Sequence, residues 1–162
     1  MTWKTRLAEI PIEQTVSSAT MGDGAEEVTK LIYEYAARVD AGDFDGVAEL
    51  FAHGAFLDFR GADEVRGCFE RMVIRYDDGT PRTKHVTTNV VVDVDEGGGT
   101  ATARSYFTVL QSVPGSPLQV IIAGRYGDTF ERADGEWRFT HRVVHSDLVG
   151  DLSRHLKVDP LS

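Results

Sequence analysis

One cysteine, Cys68, is all the thiol chemistry this chain carries. A lone thiol closes no internal disulfide, so the fold must stand without staples, which suits a reducing compartment. No activating pair flanks Cys68 in sequence, and a structural thiol is the simpler reading. Long apolar runs are missing too: none approaches the ~18 residues of a membrane-crossing helix. Residues 1–10 carry Lys4, Arg6 and Glu9 where a secretory leader needs an apolar stretch, so the expected location is the cytoplasm. Basic residues are scarce, 17 Lys and Arg against 26 Asp and Glu, for a net charge of −9. That sign repels phosphate backbones, and no basic stripe interrupts it, so nucleic acid is not an expected partner and neither is a membrane. Zinc-ligand spacing, a nucleophile elbow and a nucleotide fingerprint are also lacking. Gly97-Gly98-Gly99 lies in a hairpin, not ahead of a helix where it would cradle phosphate.

What is present suffices for one domain. A chain of 162 residues buries enough surface for a single core. Residues 1–24 are poorly periodic and end in Gly22-Asp23-Gly24, a loop signal, so they read as an N-terminal arm. Asp23 is placed to cap a first helix, with Glu26 three residues on as an acidic capping box. Val28, Leu31, Ile32, Tyr35, Ala36 and Val39 follow helical spacing up to Ala41-Gly42. A short second helix is expected over 43–52, a short strand over 55–59, and a third helix after Gly61 with Val65, Cys68, Phe69, Met72 and Val73 inward.

The pattern then changes period. Four long runs with strand character, 82–95, 100–113, 118–132 and 136–148, are separated by Gly, Pro and Asp turns too short for anything but antiparallel neighbours. Helices first and a meander second make an α+β domain over 25–148, followed by a tail over 149–162. Long antiparallel strands coil, so the expected shape is a cone: three helices packed on a curved antiparallel sheet around one pocket.

Several motifs occur in one order: Tyr33-Glu34-Tyr35-Ala36-Ala37-Arg38-Val39-Asp40, Gly42-Asp43-Phe44-Asp45, Glu49-Leu50-Phe51, Lys84-His85 with Asn89, Gly124-Arg125-Tyr126 with Asp128, and Trp137-Arg138-Phe139-Thr140-His141-Arg142. Together they resemble the SnoaL-like branch of the nuclear transport factor 2-like superfamily over about 25–147. Within it they are similar to the scytalone dehydratase, bile-acid dehydratase and dehydrochlorinase relatives. That resemblance implies removal of a carbon-bound proton and loss of a leaving group, without a cofactor. It implies His85 as the base, Asp40 as its partner, and Tyr35 and Arg142 beside them. Ser105 and Asn89 are the nearest matches to a further polar residue. Tyr33 and Phe107 complete the expected substrate-binding set. The fold also hosts non-catalytic subunits, such as the small subunit of ring-hydroxylating dioxygenases, and ligand-binding proteins.

The residues themselves suit that chemistry. A proton α to a carbonyl needs a positioned base with a pKa near working pH, which histidine supplies. A carboxylate on the other ring nitrogen fixes the tautomer. His85 and Asp40 are 45 residues apart, so only the fold can join them. Each has a plain alternative: a strand histidine bonded to a neighbour, and a solvated helix-end acid. Tyr33 and Tyr35 serve equally as core packing, and Arg142 as an ion-pair residue. Tyr33 shares Asp40's helix face better than Tyr35 does. His141, His145 and His155 make no metal spacing. Arg104 and Arg125 read as salt-bridge residues.

Strict alternation puts His85, Thr87, Asn89 and Val91 on one strand face and Val86, Thr88, Val90, Val92 and Val94 on the other. It likewise turns Arg142 away from Trp137 and Phe139. If His85 faces the pocket, the valine face needs cover, which predicts a homo-oligomer, a dimer or trimer, joined sheet to sheet. The expected small-molecule partner is apolar and polyketide-, aromatic- or steroid-like.

Overall fold

Helix α1 (Asp23–Ala41) carries the expected apolar stripe, with Val28, Ile32, Tyr35, Ala36 and Val39 buried in a computed structural model that describes residues 23–158. The arm over 1–22 and residues 159–162 lie outside that range. Asp23 sits within the first helical turn instead of capping it, and Glu26 pairs with Lys30 at 2.8 Å instead of closing a capping box. The helix stops where Gly42 adopts φ +71°, a backbone that glycine takes without strain. A side chain there would also strike the Gly79 carbonyl oxygen. Asp43 then caps α2 (Phe44–Leu50), its Oδ1 accepting from the Gly46 N–H at 2.9 Å.

The single strand expected over 55–59 is two two-residue strands, β1 (Ala55–Phe56) and β2 (Phe59–Arg60), separated by Leu57 at φ 52°. Helix α3 (Gly61–Met72) follows, with Val65, Cys68 and Phe69 buried. The meander comprises β3 (Thr83–Asp95), β4 (Thr100–Gln111), β5 (Gln119–Ala133) and β6 (Glu136–Val149). The sheet order is β2-β1-β6-β5-β4-β3. The four long strands pair antiparallel as expected, but β1 runs parallel to β6, Ala55 opposite His141 and Phe56 opposite Arg142. The sheet is therefore mixed. Strands β1 and β6 are joined by α3 and the whole meander, a path long enough for a parallel pairing that no hairpin could make.

Bulges reset the side-chain alternation. Between Thr88↔Tyr106 and Val91↔Arg104, two residues of β3, Asn89 and Val90, face Ser105 alone. Asn89 takes φ 54°, a left-handed conformation that asparagine tolerates. After it Val90, Val92 and Val94 pack against the core, on the same side as His85 and Thr87, while Val86 and Val91 are exposed. The predicted continuous valine face does not exist, and the need to cover it goes with it. A second bulge leaves Thr140 unpaired between Phe130↔Phe139 and Thr129↔His141. Arg142 therefore points inward beside Phe139 and Trp137, where strict alternation would turn it out.

The core lies between the helices and the sheet. Tyr35 meets Phe51, Phe56, Phe69 and Tyr126 at ring-centroid distances of 5.9–6.4 Å. Burial of the Tyr35 ring, with Val28, Ile32 and Val39, favours docking of α1 onto the sheet. Past β6 the chain folds back onto the end of α3. Ile74 N–H donates to the His155 carbonyl at 2.9 Å, Lys157 N–H donates to the Met72 carbonyl at 2.8 Å, and Val73 bridges Leu156. This segment makes a turn over Leu152–Leu156, closed by bonds from the His155 and Leu156 N–H groups to the Leu152 carbonyl.

Candidate active site

The space left between α1, α3, the sheet and the folded-back segment is a cavity of about 260 Å³. Its wall is mainly apolar, from Val39, Phe56, Phe69, Phe107, Val109 and Ile122 among others. Polar atoms enter it from His85, Tyr35, Tyr126, Ser146 and His155, and Cys68 adds its thiol. Burial pushes that thiol above its ordinary range, which favours the unreactive form.

The fold joins the two residues that sequence separation left apart. The C-terminal end of α1 lies against the start of β3, and the His85 Nδ1 is 2.6 Å from Asp40 Oδ1. Both side chains are only 8% exposed. Asp40 is held by two more donors: the His85 backbone N–H on Oδ2 at 2.8 Å and the Thr83 hydroxyl on Oδ1 at 2.8 Å. Burial pushes the Asp40 carboxyl upward. The bonds from the His85 ring and backbone and from Thr83, with the charge of His85, outweigh burial and hold it below the usual carboxylate range. An ionised Asp40 accepts a hydrogen bond from Nδ1–H, which leaves the lone pair on Nε2.

Tyr35 and Phe107 line the cavity as expected, and Phe107 stacks on Tyr126 at 4.5 Å. Arg142 does not line it. Its guanidinium is fully buried and bidentate on Asp128, at 2.8 and 2.7 Å, with Tyr35 and Tyr126 at 4.2 and 4.1 Å on its faces. It touches the cavity only through those two phenols. Tyr33 is 49% exposed and outside the cavity. It does share a helix face with Asp40, but that face is the flank of α1. Asp40 reaches β3 from there because its short side chain meets backbone, and the cavity lies under the other stripe. Asn89 lies in a groove on the outer side of the sheet with Val91, Arg104, Tyr106 and Arg125, because its bulge turns it out. Ser105 is buried with its hydroxyl unpartnered, away from the His85 cavity. Arg125 pairs with Asp147 at 2.8 Å, as a salt-bridge reading expects, and His141 Nε2 lies 2.9 Å from the Leu57 carbonyl.

Three polar pocket residues, Tyr126, Ser146 and His155, were missed. Tyr126 belongs to a quoted motif, and its alternation with Asp128 and Phe130 could have revealed an inward face. His155 gave no signal, since nothing in the tail's sequence says that it folds back. Among the described residues, no three of His, Cys, Asp and Glu converge as metal ligands would. No helix among them is long and apolar enough to cross a membrane.

Burial raises the Tyr35 phenol well above its usual range, even though the nearby Arg142 charge pulls it down, and it raises Tyr126 likewise. Both remain O–H donors at any physiological pH. A histidine held at its Nδ1 by a carboxylate outside the cavity lining, and two neutral phenols, thus face one mainly apolar cavity. That set can remove a proton and stabilise an oxygen that gains charge.

Comparison with known proteins agrees with the architecture. Residues 24–143 match the SnoaL-like domain. An uncharacterised protein of Mycobacterium tuberculosis is 27% identical over 121 residues, covering 72% of this chain and 81% of its own. An NTF2-like protein with a cystatin-like fold from Novosphingobium aromaticivorans superposes with a TM-score of 0.59 at 24% identity, over 72% of this chain and 77% of that one. A protein from the same organism described as a candidate scytalone dehydratase superposes with a TM-score of 0.63 at 20% identity, over 79% and 87%. At those identities the two structures speak for the fold alone. The domain match spans both helices and strands that build the cavity, and the chain belongs to the SnoaL-like domain family.

Proposed function

We propose that this protein is a cofactor-independent lyase or isomerase of dehydratase type, acting on a small apolar carbonyl or hydroxyl compound in the cytoplasm. The observation that carries the reading is the 2.6 Å contact between His85 Nδ1 and Asp40 Oδ1 at the wall of an apolar cavity. In this reading His85 Nε2 takes a proton from the carbon next to a carbonyl, and the bonding pair moves into the carbonyl to form an enolate. Asp40 stabilises the imidazolium that results. Tyr35 and Tyr126 donate to the enolate oxygen. As the enolate collapses, a β-hydroxyl leaves and takes the proton from His85 as water. Returning that proton to another carbon would give an isomerase instead. Arg142 acts through Tyr35 and Tyr126, which it holds by their ring faces.

A protein that only binds a ligand has no need of a carboxylate on His85 Nδ1, so the observed pairing favours catalysis over a purely ligand-binding role. The test is turnover on hydroxyketone substrates of one to four rings. We expect His85→Ala and Asp40→Asn each to lower kcat by roughly 10²–10⁴ with the fold intact by circular dichroism. Unchanged turnover in both variants would end the proposal.

A further inference from the structure

Of the cavity residues past the span matched by the SnoaL-like domain, His155 alone among the described residues has a titratable side chain, and it lies on the segment that folds back over the cavity. His155 is 8% exposed and lines the same cavity as His85. Its Nδ1 is buried and has no hydrogen-bond partner among the described residues. A buried polar atom left unpaired is costly and calls for a reason. The ring is not loosely placed: the backbone of His155 is bonded on both sides, its N–H to the Leu152 carbonyl at 2.9 Å and its carbonyl to the Ile74 N–H at 2.9 Å. The fold thus spends ordered backbone on holding an unpaired imidazole at the cavity wall.

The rest of the wall narrows what such a ring would meet. No lysine, arginine, aspartate or glutamate lines the cavity among the described residues. The one buried arginine nearby, Arg142, is committed to Asp128. A carboxylate or phosphate ligand would find no counter-charge there and would lose its hydration. Burial lowers the His155 pKa to about 4, with the charge of His85 on β3 acting the same way and Asp40 on α1 opposing, so the ring itself stays neutral. The volume, about 260 Å³, exceeds the ~150 Å³ that admits benzene and falls below the ~300–1,000 Å³ of drug-sized sites. One or two fused rings fit that range better than four.

We propose that His155 is the cavity's second ligand-binding histidine, hydrogen-bonded to an oxygen of a neutral one- or two-ring ketone or alcohol. The inference narrows the substrate class and rests on the proposed function only for where the reacting carbon sits. His85 has its tautomer fixed by Asp40. No group among the described residues fixes that of His155, so its ring can donate to a carbonyl or accept from a hydroxyl, whichever the ligand presents.

The experiment measures binding, not turnover, so its failure is separable from failure of the His85–Asp40 mechanism. Naphthalene, 2-naphthol and 2-naphthoate are titrated into the wild-type protein, His155→Phe and His85→Gln. The wild type should bind 2-naphthol at least tenfold tighter than naphthalene and 2-naphthoate no better than naphthalene. His155→Phe should bring 2-naphthol to within twofold of naphthalene and leave the naphthalene affinity unchanged, which a merely structural role would not do. His85→Gln should keep the preference. A preference for 2-naphthol that survives His155→Phe, or one lost only in His85→Gln, overturns the inference, as does tight 2-naphthoate binding. An independent readout uses the wild-type protein with ¹⁵N-labelled histidine. Adding 2-naphthol, but not naphthalene, should move the His155 ring-nitrogen signals, and unmoved signals overturn the inference even where the variant fails to fold.

Discussion

Arg142 heads the largest side chains removed entirely from solvent, and it survives there because every face is occupied. Asp128 takes two of its nitrogens, and the rings of Tyr35, Tyr126 and Phe139 lie within 4.9 Å of the guanidinium carbon. Nη1 alone has no partner among the described residues. Removing one member of such a pair strands the other's charge, so Asp128→Asn should cost about 3–5 kcal/mol, read as a lower urea midpoint at unchanged slope. His155 makes a second prediction at this scale. Its ring titrates near 6.5 when unfolded and at about 4 when folded. Between those values the unfolded chain holds a proton that the folded chain lacks, so stability falls as pH falls across that window. The loss approaches about 3 kcal/mol and levels off below pH 4. His155→Phe should flatten that stretch of the stability curve. Asp40 is held below its usual range, so its contribution is present above the ordinary carboxylate pKa and fades only in stronger acid. The two windows are therefore distinguishable in one titration of unfolding free energy.

At the scale of elements, the extents of helices and long strands were legible because period and punctuation are local. The expected runs 82–95 and 136–148 differ from β3 and β6 by a residue at one end. Which way each residue faces was not legible past a bulge. A bulge is set by how two strands share hydrogen bonds, and neither strand's own pattern records it. Asn89 is the informative case. Its left-handed backbone costs an ordinary side chain roughly 1–2 kcal/mol. Asn89→Gly should therefore leave the melting temperature unchanged or raise it, and Asn89→Val should lower it. Deleting Asn89 would remove the bulge, pair Val90 with Ser105 and leave Val90, Val92 and Val94 inward by simple alternation, so cooperative unfolding should survive. A deletion variant that no longer melts cooperatively would refute the assigned register.

At the scale of the whole molecule, the outer side of the sheet still exposes Val86 at 43%, Val91 at 47% and Tyr106 at 53%, near Arg104 and Arg125. That patch is smaller than the valine face expected from alternation, and the proposal of a homo-oligomer now rests on this patch instead of on that face. Light scattering on a sizing column should give two or three times the 17.9 kDa chain mass, and Tyr106→Glu should bring it down to one. A wild-type monomer at micromolar concentration would discard the idea.

The sequence by itself determined the segregated α+β order, the inward stripe of α1, the lengths of the long strands and the residue types able to move a proton. Each of these is written in neighbours a few positions apart. Only the tertiary structure decided that Asp40 meets His85, that Arg142 is sealed against Asp128 behind two tyrosines, and that His155 folds back to close the cavity. Those contacts span tens of residues and depend on bulges, a helix flank and a returning segment. Local pattern does not encode them, because the energy that fixes them comes from packing surfaces that exist only once the chain has folded.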